Sequence, residues 1–168
     1  LPLRALNFQG RLVLNNGDSN WVELNTDEPS SEMTIANVNL SDDMHVTGSV
    51  QKRFTDYKAY LFRSSYRDRV EEDIKRYFID DTPRLEIEDI DIKDMNNADQ
   101  PIGVKYELDM SSAAEVIGDK IYLTPLLNEA TNDNPFKLET RVFPIDLVYP
   151  VESKTIINIT IPDNYQVE

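Results

Sequence analysis

The chain has 168 residues, 40% of them hydrophobic, with 31 acidic against 17 basic side chains and a formal charge of −14. That length supports one core or two small ones, and the charge repels phosphate backbones and anionic lipid heads, which disfavours nucleic acid and acidic membranes as partners. No run of eighteen apolar residues provides a membrane span, and with no cysteine and a single histidine, His45, any catalysis would rest on carboxylates, hydroxyls or a bound metal.

No basic and apolar leader opens the chain. It starts at Leu1 in a strand-like pattern, as expected of an excised piece or a processed product. Arg11 to Leu14 and Trp21 to Leu24 read as short strands, and the Asn-Gly step between them favours a hairpin. Glu32 to Leu40 alternates through Met33, Ile35, Val38 and Leu40, with a slip of phase near Ala36 that predicts a bulge. Met44 to Arg53 places Met44, Val46, Gly48 and Val50 on one face, and His45 on the polar face, where a histidine reads as a surface residue.

From Asp56 to about residue 79 the pattern changes. Ala59, Phe62, Tyr66, Val70, Ile74 and Phe78 recur every three or four residues, which predicts one long helix with Asp56 as its N-cap. Arg67/Glu71, Arg69/Asp73, Glu71/Lys75 and Glu72/Arg76 are opposite charges four apart, each contributing about 0.2 to 0.5 kcal/mol. Asp80 to Pro83 ends the helix. Beyond it, Leu85, Ile87, Ile90 and Ile92, then Ile102 to Met110, then Lys120 to Leu123 read as strands. Leu126 to Thr140 reads as an irregular loop, and Arg141 to Tyr149 and Thr155 to Ile161 as the last two strands.

The fold expected is α+β and predominantly antiparallel: an N-terminal β region, the inserted helix, and a β-sandwich-like C-terminal half. A boundary at the helix end divides the chain into residues 1–81 and 82–168.

No nucleophile elbow, phosphate loop or paired metal-binding histidines occur, and no catalytic or cofactor-binding residue is assigned. Asp89, Asp91 and Asp94 place oxygen ligands in one turn, the environment calcium prefers, but the glycine and terminal glutamate of an EF-hand loop are missing. Asn15 to Asn20 and Asn132 to Asn134 are as rich in oxygen and are explained by turn chemistry. Trp21, Tyr106, Tyr122, Tyr149 and Tyr165 are candidates either for a sugar-binding platform or for a core.

Gly118 to Pro125, Asn134 to Phe136, Arg141 to Pro150 and Ile159 to Glu168 occur in an order that resembles the uncharacterised domain following the transglutaminase-like core in large exported bacterial proteins with cysteine-protease-like folds. Leu1 to Val13 and Trp21 to Leu24 look similar to the closing strands of that core, and Ala59 to Arg63 to the start of the family's middle section. Arg141, Asp146 and Tyr165 match recurring positions, and with Pro144, Pro150 and Pro162 they read as fixing strand ends and turns.

The resemblance implies that the catalytic cysteine, histidine and aspartate lie upstream, that the upstream core is the partner, and that the protein is periplasmic or on the cell surface. The chain itself is then a non-catalytic accessory domain, and Leu1 to Leu24 is expected to leave an exposed edge or apolar patch. The alternative is a surface module that binds glycan or protein through its aromatics and the Leu126 to Thr140 loop. A hydrolase using two of the carboxylates is the remaining reading, and it needs two acids converging in a cleft.

Overall fold

The computed structural model describes residues 1–79, 82, 84–111, 113–130, 134, 136, 137, 140, 142, 145 and 147–167. Its centre is a five-stranded sheet formed by β3 (Ser30–Leu40), β4 (Val46–Phe54), β5 (Leu85–Lys93), β6 (Ile102–Met110) and β9 (Val151–Thr160), in the order β5-β6-β4-β3-β9. All neighbours are antiparallel except β3 and β9, which run parallel from Ser30↔Val151 to Asn39↔Thr160. Two hairpins stand apart as two-stranded sheets, β1 (Gln9–Val13) with β2 (Ser19–Glu23), and β7 (Ala114–Ile117) with β8 (Lys120–Leu123).

One face of the large sheet carries the core. Thr34, Ala36, Val38 and Leu40 of β3 share it with Val46, Val50 and Phe54 of β4 and with Ile102, Val104, Tyr106, Leu108 and Met110 of β6. The period-two alternation that predicts these strands also selects the face that α1 (Asp56–Tyr66) and α2 (Glu71–Ile79) cover with Ala59, Phe62, Ile74 and Phe78. Phe62 stacks on Phe54 at 5.3 Å between ring centroids, and Phe78 lies 5.4 Å from Tyr106.

The expected α+β, mainly antiparallel fold is present, with differences in its parts. The helix is two helices. Arg67 and Arg69 follow the end of α1, and Glu71, Glu72 and Asp73 form the first turn of α2, so each new terminus is matched by the charge its dipole favours. Val70, placed in the apolar stripe, is 66% exposed in the break. Thr55, rather than Asp56, is the N-cap of α1, with no side-chain capping bond. Glu71–Lys75 forms at 2.9 Å, whereas Arg76 turns to Asp73 at 3.4 Å.

No bulge interrupts β3 against β4, because Thr34 and Ala36 take the core positions and Met33 and Ile35 face away from it. The irregularity lies in β5, between Glu88 and Asp91, where Asp89 adopts a φ of 48° and restores Ile90 and Ile92 to the core side. Gly48 sits so close to β3 that a Cβ there would lie 2.7 Å from Val38 Cα.

Strands from both sides of residue 81 share this sheet: β4 pairs with β6, and β3 with β9. Thus β5, β6 and β9 complete the sheet begun by β3 and β4, and among the described residues the C-terminal half forms no second layer of the kind a sandwich requires. Residues 142, 145 and 147–149 of the expected strand Arg141–Tyr149 are not in a strand, and Arg141, Pro144 and Asp146 lie outside the described residues. Asp80, Asp81 and Pro83 of the expected helix stop also lie outside them.

Candidate functional site

The N-terminal hairpin is a two-stranded sheet separate from the large one. Asn16 and Gly17 make its turn, with Gly17 at a φ of 88° and its N–H donating to Leu14 O at 3.0 Å. Beyond the strands the pairing continues through Asn7 N–H to Leu24 O at 3.1 Å and Leu24 N–H to Phe8 O at 2.9 Å. Across it, Arg11 donates to Ser19 Oγ and lies over Trp21, 5.7 Å from the ring centroid.

Buried Leu6 and a hydrogen bond from Tyr57 Oη to Leu1 O at 2.8 Å tie this region to the body. Among the described residues neither β1 nor β2 pairs with a third strand, and Phe8, Leu12, Val13, Leu14 and Trp21 are all exposed, Trp21 by 65%. A two-stranded ribbon is marginal alone in water, and its free N–H and C=O groups beside apolar side chains suit it to receive another strand.

A second constellation is buried between sheet and helices. Lys52 follows Val46, Gly48 and Val50 on the core face of β4, and only 6% of its side chain is exposed. Its Nζ lies 2.6 Å from Glu129 Oε2, 3.1 Å from Thr34 Oγ1 and 3.6 Å from Glu32, while Lys58 holds Glu32 at 3.0 Å. Thr34 also donates to Glu129 at 3.3 Å. Glu129 ends a 3-10 turn, Leu127–Glu129, which is thereby fastened over the sheet, and Asn128 donates to Phe78 O at 3.3 Å.

Beside this cluster, the Tyr106 hydroxyl is buried and makes no hydrogen bond of standard geometry among the described residues, although the Asn128 amide, which donates to Phe78 O, lies close enough to favour the phenolate. Burial, with the neighbouring Glu129 and Glu32 carboxylates adding to it, pushes the Tyr106 phenol far above its ordinary value. The arrangement holds charge in place, and Glu129 and Tyr106 line neither the groove beside Gly103 nor the hollow beside Tyr57.

The residues singled out in the sequence are scattered. Asp89 is the bulge residue, Asp91 faces the open side of the sheet, and Asp94 turns the chain at a φ of 59°. Among the described residues no group of three or more acidic or histidine side chains is arranged to hold a metal. His45 lies in the turn before β4, half-buried, with Nδ1 3.3 Å from Asp109 Oδ1. Tyr106 is core, Tyr149 packs on Tyr57 at 5.1 Å, Trp21 belongs to the hairpin and Tyr122 to β8. Tyr165 donates its N–H to Pro162 O at 3.1 Å. Asn132 and Asp133 lie outside the described residues, and Asn134 accepts from Phe136 N–H in a local turn. Lys52 and Glu129 were not singled out, although a lysine in phase with Val46, Val50 and Phe54 was the available signal.

Residues 119–168 contain β8, the Glu129 turn and β9, and each leans on a residue outside that span: β9 on β3, and Glu129 on Lys52. No curated protein and no solved structure matches the chain. Residues 119–168 match the model of the family DUF3858, a domain of unknown function.

Proposed function

We propose that the chain is a non-catalytic accessory domain of a transglutaminase-like protein, packing against or positioning a catalytic core that carries the cysteine, histidine and aspartate. The observation that carries this reading is the separate hairpin, whose two outer strand edges pair with no other strand among the described residues, with Phe8, Leu12, Val13, Leu14 and Trp21 exposed along it. Strand addition from the core would satisfy the edges and cover the apolar side chains together. The resemblance of Leu1 to Leu24 to the closing strands of such a core supports the same assignment, and with it an extracytoplasmic location.

The test compares this chain with a version extended by its upstream coding sequence, reading amide hydrogen exchange. In the extended protein the outward-facing amides of Gln9 to Val13 and Ser19 to Glu23 exchange at least tenfold more slowly than in the chain alone, while those of β4 and β6 are unchanged. Equal exchange in the two proteins refutes docking through the hairpin. An upstream region without the three catalytic residue types refutes the association with a thiol enzyme.

A further inference from the structure

The face of the large sheet turned away from the helices carries a groove of about 650 Å³ near the β5–β6 turn. Its geometry follows from the register. Met33, Arg53, Gly103 and Lys93 lie side by side on β3, β4, β6 and β5, and Lys154 of β9 continues the row beyond Met33. The neighbouring row holds Ile35, Gln51, Lys105 and Asp91.

Gly103 has no side chain, and a Cβ there would meet nothing nearer than Lys93 Cβ at 3.8 Å. Arg53 and Lys93 therefore straddle an empty slot, on strands whose backbones are about 10 Å apart. Met33 and Ile35 give the slot an apolar flank. On the opposite side of the sheet, Arg63 of α1 holds the adjoining turn in place by donating to Asp94 O and Gln100 O.

The charges matter because of where they occur. In a chain with 31 acids for 17 bases, neither Arg53 nor Lys93 forms an ion pair or side-chain hydrogen bond among the described residues, although both are exposed. Lys105 reaches only Glu107, at 3.9 Å. A guanidinium and an ammonium either side of a side-chain-free strand position form a receptor for one carboxylate, which the arginine can bind through two parallel bonds.

Asp91 and Asp94 also line the groove. Their carboxylates repel a polyanion such as nucleic acid and leave room for an isolated negative charge at Gly103. From β3 to β5 the groove spans about 14 Å, the length of roughly four extended residues. We infer that this groove binds an extended acidic peptide segment, with a glutamate or aspartate carboxylate seated over Gly103 between Arg53 and Lys93 and an apolar neighbour on Met33 and Ile35. This surface is distinct from the hairpin, and its role does not depend on how the hairpin is covered.

The probe is a fluorescein-labelled peptide carrying one glutamate beside leucine in an otherwise uncharged sequence, titrated with the full chain at low salt and read by anisotropy, beside the same peptide with glutamine for that glutamate. The acidic peptide binds at least tenfold more tightly, and the difference shrinks as salt is raised. Arg53→Gln with Lys93→Gln weakens binding at least tenfold. Gly103→Val, which keeps both charges but fills the slot, weakens it at least fivefold, with unchanged circular dichroism in both variants.

Equal affinity for the two peptides, no binding, or binding indifferent to these substitutions overturns the inference. Displacement of the peptide by inorganic phosphate at equal concentration reassigns the groove to free anions and overturns it as well. So does self-association of the chain that Arg53→Gln abolishes, which would make a second copy the occupant.

Discussion

Glu129→Leu tests whether the buried cluster around Lys52 holds the C-terminal segment to the sheet. The substitution removes the acceptor 2.6 Å from an ammonium whose side chain is only 6% exposed. Breaking a buried ion pair by removing one partner costs about 3–5 kcal/mol. Thr34 at 3.1 Å and Glu32 at 3.6 Å remain as acceptors, so the low end, about 3 kcal/mol, applies. For a chain of this size that corresponds to a fall in Tm of about 6–12 °C.

Lys52→Met alone strands Glu129 beside Glu32 and costs about 3 kcal/mol. The double substitution Lys52→Met with Glu129→Leu replaces the pair by apolar groups of similar volume and returns stability to within about 1 kcal/mol of the parent. Urea unfolding followed by circular dichroism measures all four proteins; Trp21 fluorescence is unsuited, because that residue reports the exposed hairpin. A Glu129→Leu loss below about 1 kcal/mol, or single-site losses that simply add in the double variant, would refute the reasoning.

Tyr106→Phe removes a buried hydroxyl that makes no hydrogen bond of standard geometry among the described residues, so it changes stability at neutral pH by no more than about 1 kcal/mol. The same substitution changes the alkaline limb. Because the folded-state pKa of Tyr106 is raised, the unfolded chain loses its proton first, and stability falls by up to about 1.4 kcal/mol per pH unit above pH ~10. In the phenylalanine variant that contribution to the slope disappears, and an unchanged slope between pH 10 and 12 argues against it. Gly48→Ala forces a Cβ against Asn37 O and Val38 Cα and costs about 1–3 kcal/mol or more, measured as a drop in the urea midpoint; a neutral result would show that β3 and β4 separate freely at this point.

Much of the fold was legible because strand alternation is a local property. Ile102 to Met110 appears as β6 without a shift, and the doubled acid at Glu88 and Asp89 marks the bulge that returns Ile90 and Ile92 to the core. Where alternation was misread, composition misled it: Met33 and Ile35 are more apolar than Thr34 and Ala36, yet the smaller residues take the helix-covered face. The helix break was hidden by the spacing of Tyr66, Val70 and Ile74, which preserves the stripe across it. Only the change from Arg67 and Arg69 to Glu71, Glu72 and Asp73 signals two termini. Strand order was beyond reach, since the pairing of β9 with β3 joins residues more than a hundred positions apart through an interaction that leaves no periodic trace.

That long-range pairing bears on what residues 119–168 are as a unit. A family match over a segment suggests a module, but β9 is an edge strand with polar Lys154 and Asn158 on its open side, and its inward Ile157 and Ile159 are only partly buried. Such a strand cannot bury enough apolar surface to fold alone. Its inward-facing backbone groups pair with β3, Asn158 bonds to Asn37 at 2.8 Å, and the turn before it is fixed by a glutamate whose counter-ion belongs to β4. The cooperative unit therefore extends at least from Ser30 to Thr160, and the matched segment supplies its edge strand and its Glu129 turn. The N-terminal hairpin lies outside that unit, which is why its exchange behaviour separates docking at the edges from changes in the domain's own core.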